Sequence, residues 1–423
     1  YMRVPINYLI LSLYFFVYVT PAYINGIFLA YDKVFPQMFI VSLLNIFSFI
    51  YIFKKFNLKD YILSFEYKNH YLAYLSVIVI SIISLLVAEN VIEGVVSLLK
   101  IINFFVAFSF IVILSSFKIF KFFNYFIIAT LISLFIESVL INLRIFDSVI
   151  INGNLLVRSN VFAGFGANVN ISSFSILIKT VVPIFLIFNY KNYFIRALSI
   201  LFIYSSFLSI FLLMSRAAVL ALILVFTSIL ILVVISKRRI YYLKYGLVII
   251  TLIMSIFSYN IINEKNAYNT LTDRFSNVTN PVADESVNER LNFYKTAIQS
   301  IGDNPLLGIG IGNWKIKSID LSKDIIVSYR VPYFAHNDFL QFLAEIGILG
   351  GLCFIFYIFY PILISLFRSL KSRNFNIDFL IFLIFLIYIV DSMLNFPIER
   401  PINYIYLCFT IALFYQSKKY LNK

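Results

Sequence analysis

Residues 217–235 read AAVLALILVFTSILILVVI, a run that contains no charged side chain. Arg216 precedes this run, and Lys237, Arg238 and Arg239 follow it closely. A helix of about 20 apolar residues is long enough to cross the hydrocarbon core of a bilayer. The stretch therefore predicts a membrane-spanning helix that ends at a cluster of basic residues.

Similar runs recur along the whole chain of 423 residues, which is 61% hydrophobic and only 13% charged. A soluble domain carries roughly 25% charged residues, so the chain is predicted to be an all-α, polytopic transmembrane bundle of about twelve spans. The predicted spans are residues 6–24, 36–53, 71–88, 93–117, 121–143, 171–189, 195–213, 217–235, 241–259, 340–367, 377–395 and 401–416. The chain then divides into spans one to nine (1–259), one long polar segment (260–339) and spans ten to twelve (340–423).

Lysine and arginine are concentrated in every second loop of this arrangement. Basic loops are retained on the cytoplasmic side of a membrane, so both termini are predicted to be cytoplasmic and residues 260–339 to lie on the outer face. The formal charge of +14 then reflects topology and attraction to anionic lipid. We therefore expect membrane lipid as a partner and no nucleic acid.

The polar segment on the outer face contains two local signals. Apolar residues at helical spacing predict an amphipathic helix over residues 289–301, which Asn304-Pro305 should end. The glycine-rich run 305–314 lacks the Gly-Lys-Ser/Thr end of a phosphate-binding loop, so it is interpreted as a tight backbone turn. Trp314, the only tryptophan, is expected to anchor this segment at the membrane interface.

Several charged residues lie where a membrane protein rarely places them. An ionisable side chain inside a span costs roughly 2.5–3.5 kcal/mol on insertion scales, so it usually faces a cavity or a partner. Lys100, Lys179 and Glu137 lie in the outer halves of their predicted spans, and Arg216 lies at the outer end of another. These positions indicate either a cationic cavity suited to a diphosphate or structural ion pairs with Glu137. Arg216 could instead extend to the interface, and Arg290 could be either a phosphate ligand or a surface arginine.

His336 is one of only two histidines and lies where the polar segment meets the tenth predicted span. Asn337 or Asp338 is expected to cap that helix. The pKa of imidazole lies near neutrality, so His336 could accept a proton from a sugar hydroxyl, or it could simply form an interfacial hydrogen bond. A lone histidine does not make a metal site, and we expect neither a metal nor a cofactor. His70, in a basic loop, is expected to be solvated.

Short motifs follow one another along the second half of the chain. They are Ser215-Arg216-Ala217, Glu289-Arg290, Asn304-Pro305-Leu306-Leu307-Gly308-Ile309-Gly310, and Ala335-His336-Asn337-Asp338-Phe339-Leu340, flanked by segments 158–168 and 391–401. In this order they resemble the O-antigen ligase and O-antigen polymerase superfamily of bacterial membrane glycosyltransferases. The resemblance extends from residue 158 to residue 401, and the first five spans match only in hydrophobicity.

The resemblance implies a GT-C-like helical fold in the bacterial inner membrane. It also implies a metal-independent, inverting transfer of a glycan from undecaprenyl diphosphate at the periplasmic face. In that family two arginines hold the diphosphate and a histidine acts at the reacting centre, roles that correspond here to Arg216, Arg290 and His336. The substrate-binding residues expected beside them are Arg158, Lys179, Lys100 and Asn337.

The acceptor is the main choice within the superfamily. A ligase uses lipid A–core, a polymerase uses a second lipid-linked repeat unit, and a protein glycosyltransferase uses a serine or threonine. The Ala335-His336-Asn337 pattern favours the ligase. A flippase or transporter of lipid-linked oligosaccharides is the alternative from another class. The sequence shows neither an internal repeat nor paired broken helices in matching halves, which such a transporter would carry.

Overall fold

The computed structural model describes residues 6–19, 34–55, 68–116, 119–152, 164–165, 168–263, 285–321 and 333–421. Within these ranges the protein is built from α-helices joined by loops and short 3₁₀ turns, and the prediction of an all-α polytopic bundle is confirmed. The helices are α1 (Ile6–Phe15), α2 (Phe35–Lys55), α3 (Lys68–Ser84), α4 (Val91–Ser115), α5 (Ile119–Asn152), α6 (Val169–Asn189), α7 (Tyr193–Leu212), α8 (Arg216–Ser236), α9 (Arg239–Asn263), α10 (Glu285–Asp303), α11 (Trp314–Leu321), α12 (Asp338–Ser372), α13 (Ile377–Leu394) and α14 (Pro401–Leu421).

In the described part of the chain, ten helices are long and apolar enough to cross a membrane, namely α2 to α9, α12 and α13. Each coincides with a predicted span, so this is a multi-pass membrane protein. The first and last predicted spans are helical as well. Ile6–Val19 is short, and α14 carries polar residues such as Asn403 and Gln416 among its buried apolar side chains.

The centre of the bundle is formed by α6, α13 and α14. α6 is buried along its whole length and packs against α5, α7 and α13, while α13 also contacts α8 and α12. Outward faces of the surrounding helices carry large exposed apolar side chains such as Phe53, Phe257 and Phe367. Such faces match a lipid environment, in which an exposed apolar side chain needs no covering.

α12 is broken one-quarter of the way along its length. Ile346 and Gly347 leave helical dihedral angles, and Gly347 adopts φ 72° and ψ 176°, a region that is essentially restricted to glycine. A Cβ atom at this position would overlap the carbonyl oxygen of Leu306. The chain after α10 therefore packs directly into the break.

Backbone hydrogen bonds fasten this packing on both sides of the break. The N–H of Ile309 donates to the carbonyl oxygen of Ala344 at 2.9 Å, and the N–H of Ile348 donates to that of Pro305 at 2.8 Å. Buried backbone groups must be paired, and here two groups at the break are paired by a neighbouring segment. The predicted tight turn is thus the segment that fills a helix break.

α10 contains the predicted amphipathic helix and ends directly before Asn304-Pro305, as expected. The apolar residues whose spacing predicted this helix include Leu291, Ala297 and Ile298. Ala297 is buried as predicted, whereas Leu291 and Ile298 are 46% and 61% exposed. The side chains that pack inward are Thr296, Ala297 and Ser300. Small residues on this face let α10 lie close against α12.

Trp314 is 1% exposed, so its predicted role as an interfacial anchor is wrong. It begins α11 and packs with Ala297, Ala335 and Ala344 in a small cluster of its own. The tryptophan is therefore the core of the unit that α10, α11 and the start of α12 build.

The prediction that His70 is solvated is also wrong. His70 lies in the first turn of α3 and is fully buried. Its Nδ1 atom is 2.6 Å from the hydroxyl of Tyr415, and its Nε2 atom is 2.7 Å from the carbonyl oxygen of Tyr357. The ring also stacks on Tyr357 and Tyr360. The helix begins at Lys68, so His70 belongs to the bundle and not to the basic loop before it.

Candidate active site

Residues 333–337 form the loop that carries His336 to the start of α12. Asn337 is the N-cap of α12, as predicted, and its Oδ1 atom accepts a hydrogen bond from the N–H of Leu340 at 3.1 Å. The N–H of Ala335 donates to Oε1 of Gln341 at 3.0 Å. Between these two anchors His336 adopts φ +55°. A non-glycine residue pays roughly 1–3 kcal/mol for this conformation, and such residues cluster at functional sites.

The imidazole ring of His336 lies against two aromatic side chains. Its centroid is 6.1 Å from that of Phe293, with nearly parallel rings, and 5.1 Å from that of Phe396, edge to face. The Nδ1 atom is buried, and no described residue forms a hydrogen bond with it. The ring is thus held by contacts with these two aromatic side chains.

Burial, with the positive charges of Arg290 and Arg400, lowers the pKa of His336 from its ordinary value of 6.5 to about 4. Both effects disfavour the charged imidazolium form. His336 is therefore neutral at pH 7, the state in which a histidine can accept a proton or donate a hydrogen bond.

Arg290 reaches this histidine from α10, together with Tyr294 one turn further along. The hydroxyl of Tyr294 lies 3.2 Å from the carbonyl oxygen of His336 and 2.8 Å from that of Met393. Burial raises the pKa of Tyr294 against the opposing effect of Arg290, so this hydroxyl stays protonated and able to donate. The structure thus brings the predicted residues Arg290 and His336 together at one end of the bundle.

Residues 395–400, here called the α13–α14 connection, complete this side of the site. Phe396 stacks on Phe334 with ring centroids 4.2 Å apart, and the N–H of Ile398 donates to Oδ2 of Asp338 at 3.2 Å. The guanidinium of Arg400 lies 4.9 Å from the centre of the Phe396 ring. The connection is therefore fastened to residues on both sides of His336. Arg400 lies in segment 391–401, which the sequence analysis included among the motifs, but no role was predicted for this residue.

Arg216 is the first residue of α8 and belongs to the same end of the bundle. Ser215, directly before it, donates a hydrogen bond to Oδ1 of Asn170 at 3.1 Å. Ile171, the next residue of α6, packs in one cluster with Phe396 and Phe334. Arg216 is thus linked to the surroundings of His336 through α6. Arg158 lies outside the described residues.

Comparison with protein families agrees with this arrangement. Residues 200–355 match the family model described as O-antigen ligase, and this range includes Arg216, Arg290 and His336. Over residues 200–355 the chain is thus similar to the O-antigen ligase and polymerase superfamily. A search of curated proteins found no match to the chain. The resemblance of the sequence motifs to this superfamily is confirmed.

The α13–α14 connection follows the region that matches the O-antigen ligase model, and Lys100 on α4 precedes that region. Lys100 Nζ lies 3.5 Å from Oε2 of Glu399, and both side chains are partly exposed. The two residues line a crevice together with Phe104, Phe342 and Ile398. Lys100, which sequence analysis placed at the site, therefore contacts the connection that carries Arg400.

Lys179 and Glu137 form a buried ion pair between α6 and α5. Lys179 also donates to Ser175 Oγ at 2.9 Å, and its ammonium lies over the ring of Tyr18 at 4.8 Å. Pairing of this kind explains how two charged side chains are tolerated within membrane-spanning helices. It is the structural alternative that the sequence left open for these residues.

Glu345 connects the glycine-rich run to α12 within the region that matches the family model. Its carboxylate accepts hydrogen bonds from the N–H groups of Gly312 at 3.0 Å and Trp314 at 3.2 Å. A carboxylate at the N-terminus of α11 satisfies donors that the helix itself cannot. Glu345 thereby ties the glycine-rich turn to α12, directly beside the helix break.

Proposed function

We propose that this protein is a glycosyltransferase that moves a glycan from undecaprenyl diphosphate to an acceptor hydroxyl at the periplasmic face of the bacterial inner membrane. The family match supports activity of the ligase and polymerase type. The observation that carries the proposal is the neutral, conformationally strained His336 beside Arg290, with Arg216 at the same end of the bundle.

The transfer proceeds in one displacement. The acceptor oxygen attacks the anomeric carbon from the face opposite the diphosphate and forms a new C–O bond with inversion. The bond between the anomeric carbon and the phosphate oxygen breaks, and its electron pair leaves with the lipid diphosphate. The acceptor proton passes to the neutral imidazole of His336 and then to solvent. General-base help of this kind contributes roughly 10²–10⁴-fold to a rate.

Arg216 and Arg290 bind the leaving diphosphate in this proposal. Guanidinium groups form paired, charge-assisted hydrogen bonds with phosphate oxygens, and stabilisation of developing charge is often the largest catalytic contribution. The reaction needs no metal in this scheme, because the arginines supply the positive charge.

Other predicted residues take supporting roles. Asn337 uses Oδ1 to cap α12, so we assign its Nδ2 group to a sugar hydroxyl. Lys100 is assigned to binding of the glycan donor, and the same role is predicted for Arg158 from the sequence alone. Lys179, held by Glu137, acts indirectly by fixing α6 against α5.

The proposed acceptor is lipid A–core, on the Ala335-His336-Asn337 pattern, which makes the protein an O-antigen ligase. A gel of lipopolysaccharide from a deletion strain separates this role from that of a polymerase. Bare core with retained lipid-linked polymer is the result expected for a ligase. Core that carries one repeat unit would instead identify a polymerase.

The transfer itself is tested with purified protein in liposomes that contain a polyprenyl-diphosphate-linked glycan and lipid A–core. The wild type should release lipid diphosphate as glycan reaches the acceptor, and Arg290→Gln should slow this release by roughly 10²–10³-fold. Arg239→Gln is the matched control, because Arg239 is exposed at the start of α9, at the opposite end of the bundle from Arg216. A wild type that releases no lipid diphosphate, or an Arg290→Gln variant at the full rate, would contradict the proposal.

A further inference from the structure

We propose that Arg400 is a further diphosphate-binding residue of this site, which acts with Arg290 across the imidazole of His336. The inference rests on the proposed transfer from a lipid diphosphate. It adds a diphosphate-binding residue that lies outside the region matched by the family model.

The two arginines approach the same ring from different elements. Arg290 lies three residues before Phe293 on α10, a spacing that places both on one helix face. Phe293 lies parallel to the His336 ring, and Phe396 meets that ring edge to face at 5.1 Å. The guanidinium of Arg400 is 4.9 Å from the centre of Phe396. Arg290 therefore shares a helix face with Phe293, and Arg400 lies beside Phe396, the second aromatic residue that contacts His336.

The backbone that carries Arg400 is fixed before any substrate arrives. The N–H of Arg400 donates to the carbonyl oxygen of Pro397 at 3.1 Å. The N–H of Ile398 donates a hydrogen bond to Oδ2 of Asp338, which lies two residues after His336. Pro401 begins α14 directly after Arg400. A charge held in place in this way stabilises a leaving group without reorganisation during the reaction.

The balance of charge at the site also suits an anion. Glu399, the acidic neighbour of Arg400 in sequence, pairs with Lys100. Arg290 and Arg400 both act on His336 as positive charges. A diphosphate carries more than one negative charge, so it is attracted by both arginines, whereas a neutral sugar is not.

The test uses the full-length protein in the liposome assay, with Arg400→Gln, Arg400→Lys and the control Arg239→Gln. We expect Arg400→Gln to lower kcat/KM for the lipid-linked donor by roughly 10²-fold, and Arg400→Lys to recover part of this loss because it keeps the charge. Inorganic pyrophosphate, added as an inhibitor, should inhibit the wild type more strongly than Arg400→Gln.

The pH dependence supplies a readout that a purely structural role would not change. Among the described residues, the charged or titratable groups beside the imidazole are Arg290 and Tyr294 on α10, Arg400 on the connection and Asp338 on α12. Glu399 and Asp391 in turn act electrostatically on Asp338. Removal of the Arg400 charge should raise the pKa of His336, so the acid limb of the rate profile should move to higher pH in Arg400→Gln. It should stay in place in Arg400→Lys.

The outcomes separate this inference from the proposed function. Wild-type kcat/KM and wild-type pyrophosphate inhibition in Arg400→Gln would overturn the role of Arg400, while an inactive Arg290→Gln would leave the proposed function intact. A wild type without transfer would overturn both. If Arg400→Gln does not fold, Arg400→Lys decides: unchanged donor KM and unchanged pyrophosphate inhibition in this variant would overturn the assignment.

Discussion

The two histidines of this protein occupy contrasting surroundings. His70 lies on a regular helix, fully buried, and both of its ring nitrogens have protein partners in Tyr415 and Tyr357. His336 lies in a loop with φ +55°, and its Nδ1 atom has no hydrogen-bond partner among the described residues. Two arginines lie near it.

The difference shows how the same side chain can be structural or reactive. Both ring nitrogens of His70 are occupied by protein partners, so His70 serves packing between α3, α12 and α14. A neutral ring held by apolar contacts keeps its proton-accepting capacity. The strain and the positive charges around His336 are costs to folding, and such costs persist at sites where function requires them.

The strongest test of this contrast between the two histidines is to replace each of them in turn. His336→Ala should lower the transfer rate by roughly 10²–10⁴-fold with little change in thermal stability. His70→Ala should leave the rate per folded molecule near the wild-type value. It should destabilise the protein by about 2–4 kcal/mol, because it opens a cavity and leaves buried polar groups of Tyr415 and Tyr357 unpaired.

Reconstituted transfer and thermal unfolding in detergent measure these two effects separately. The comparison would fail if His70→Ala were folded but inactive, since His70 would then take part in the reaction. Full activity in His336→Ala would remove the catalytic role of His336.

A substitution at Gly347 tests whether the surroundings of His336 and those of His70 depend on one another. This residue lies on α12 between the His336 loop and Tyr357, which packs on His70. Gly347→Ala should destabilise the protein by about 1–3 kcal/mol from backbone strain, with an added penalty from overlap with Leu306.

The matched control for that substitution is Gly302→Ala on α10, where an added Cβ meets no neighbouring atom within 4 Å. Alanine in a helix is favoured over glycine by roughly 0.5–1 kcal/mol, so the control should be neutral or slightly stabilising. Thermal unfolding and transfer rate are measured for both variants. Equal stability of Gly347→Ala and the wild type would show that the break is not specified by its glycine.

The smallest expected effect concerns the pH dependence of the wild type. The pKa of His336 is about 4, so the imidazole stays neutral through the neutral range and becomes protonated only as the pH approaches that value. The transfer rate should therefore fall as the pH drops toward 4 and show no limb near 6.5. The folded pKa lies below the ordinary value, so His336 also destabilises the fold as the pH decreases from 6.5 to 4. An acid limb near 6.5 in the rate profile would contradict the assignment.

Much of the fold could be predicted from the sequence, because the length and hydrophobicity of each span are local properties. The cap at Asn337 and the helix end at Asn304-Pro305 were predicted for the same reason. His70 was mispredicted because basic residues nearby suggested a loop, although the helix had already begun. Trp314 was mispredicted because its burial depends on how α10 packs against α12.

The site was harder to predict because its parts meet only in three dimensions. For Lys179 the sequence left open a cationic cavity or an ion pair with Glu137, and the packing of α5 against α6 decides for the ion pair. Arg400 is separated from His336 by the whole of α12 and α13, so no local pattern joins them. The break at Gly347 depends on residues near position 306, some 40 positions earlier in the chain. Each of these features needed tertiary contacts.

The break in α12 also bears on how the protein is made. Residues 305–309, which supply the partners of Ala344 and Ile348, leave the ribosome before α12 does. An unpaired backbone group in hydrocarbon costs several kcal/mol, so the broken helix is best inserted when its partner segment is already in place. In the predicted topology that segment crosses the membrane before α12 is inserted, and the order of translation matches this requirement.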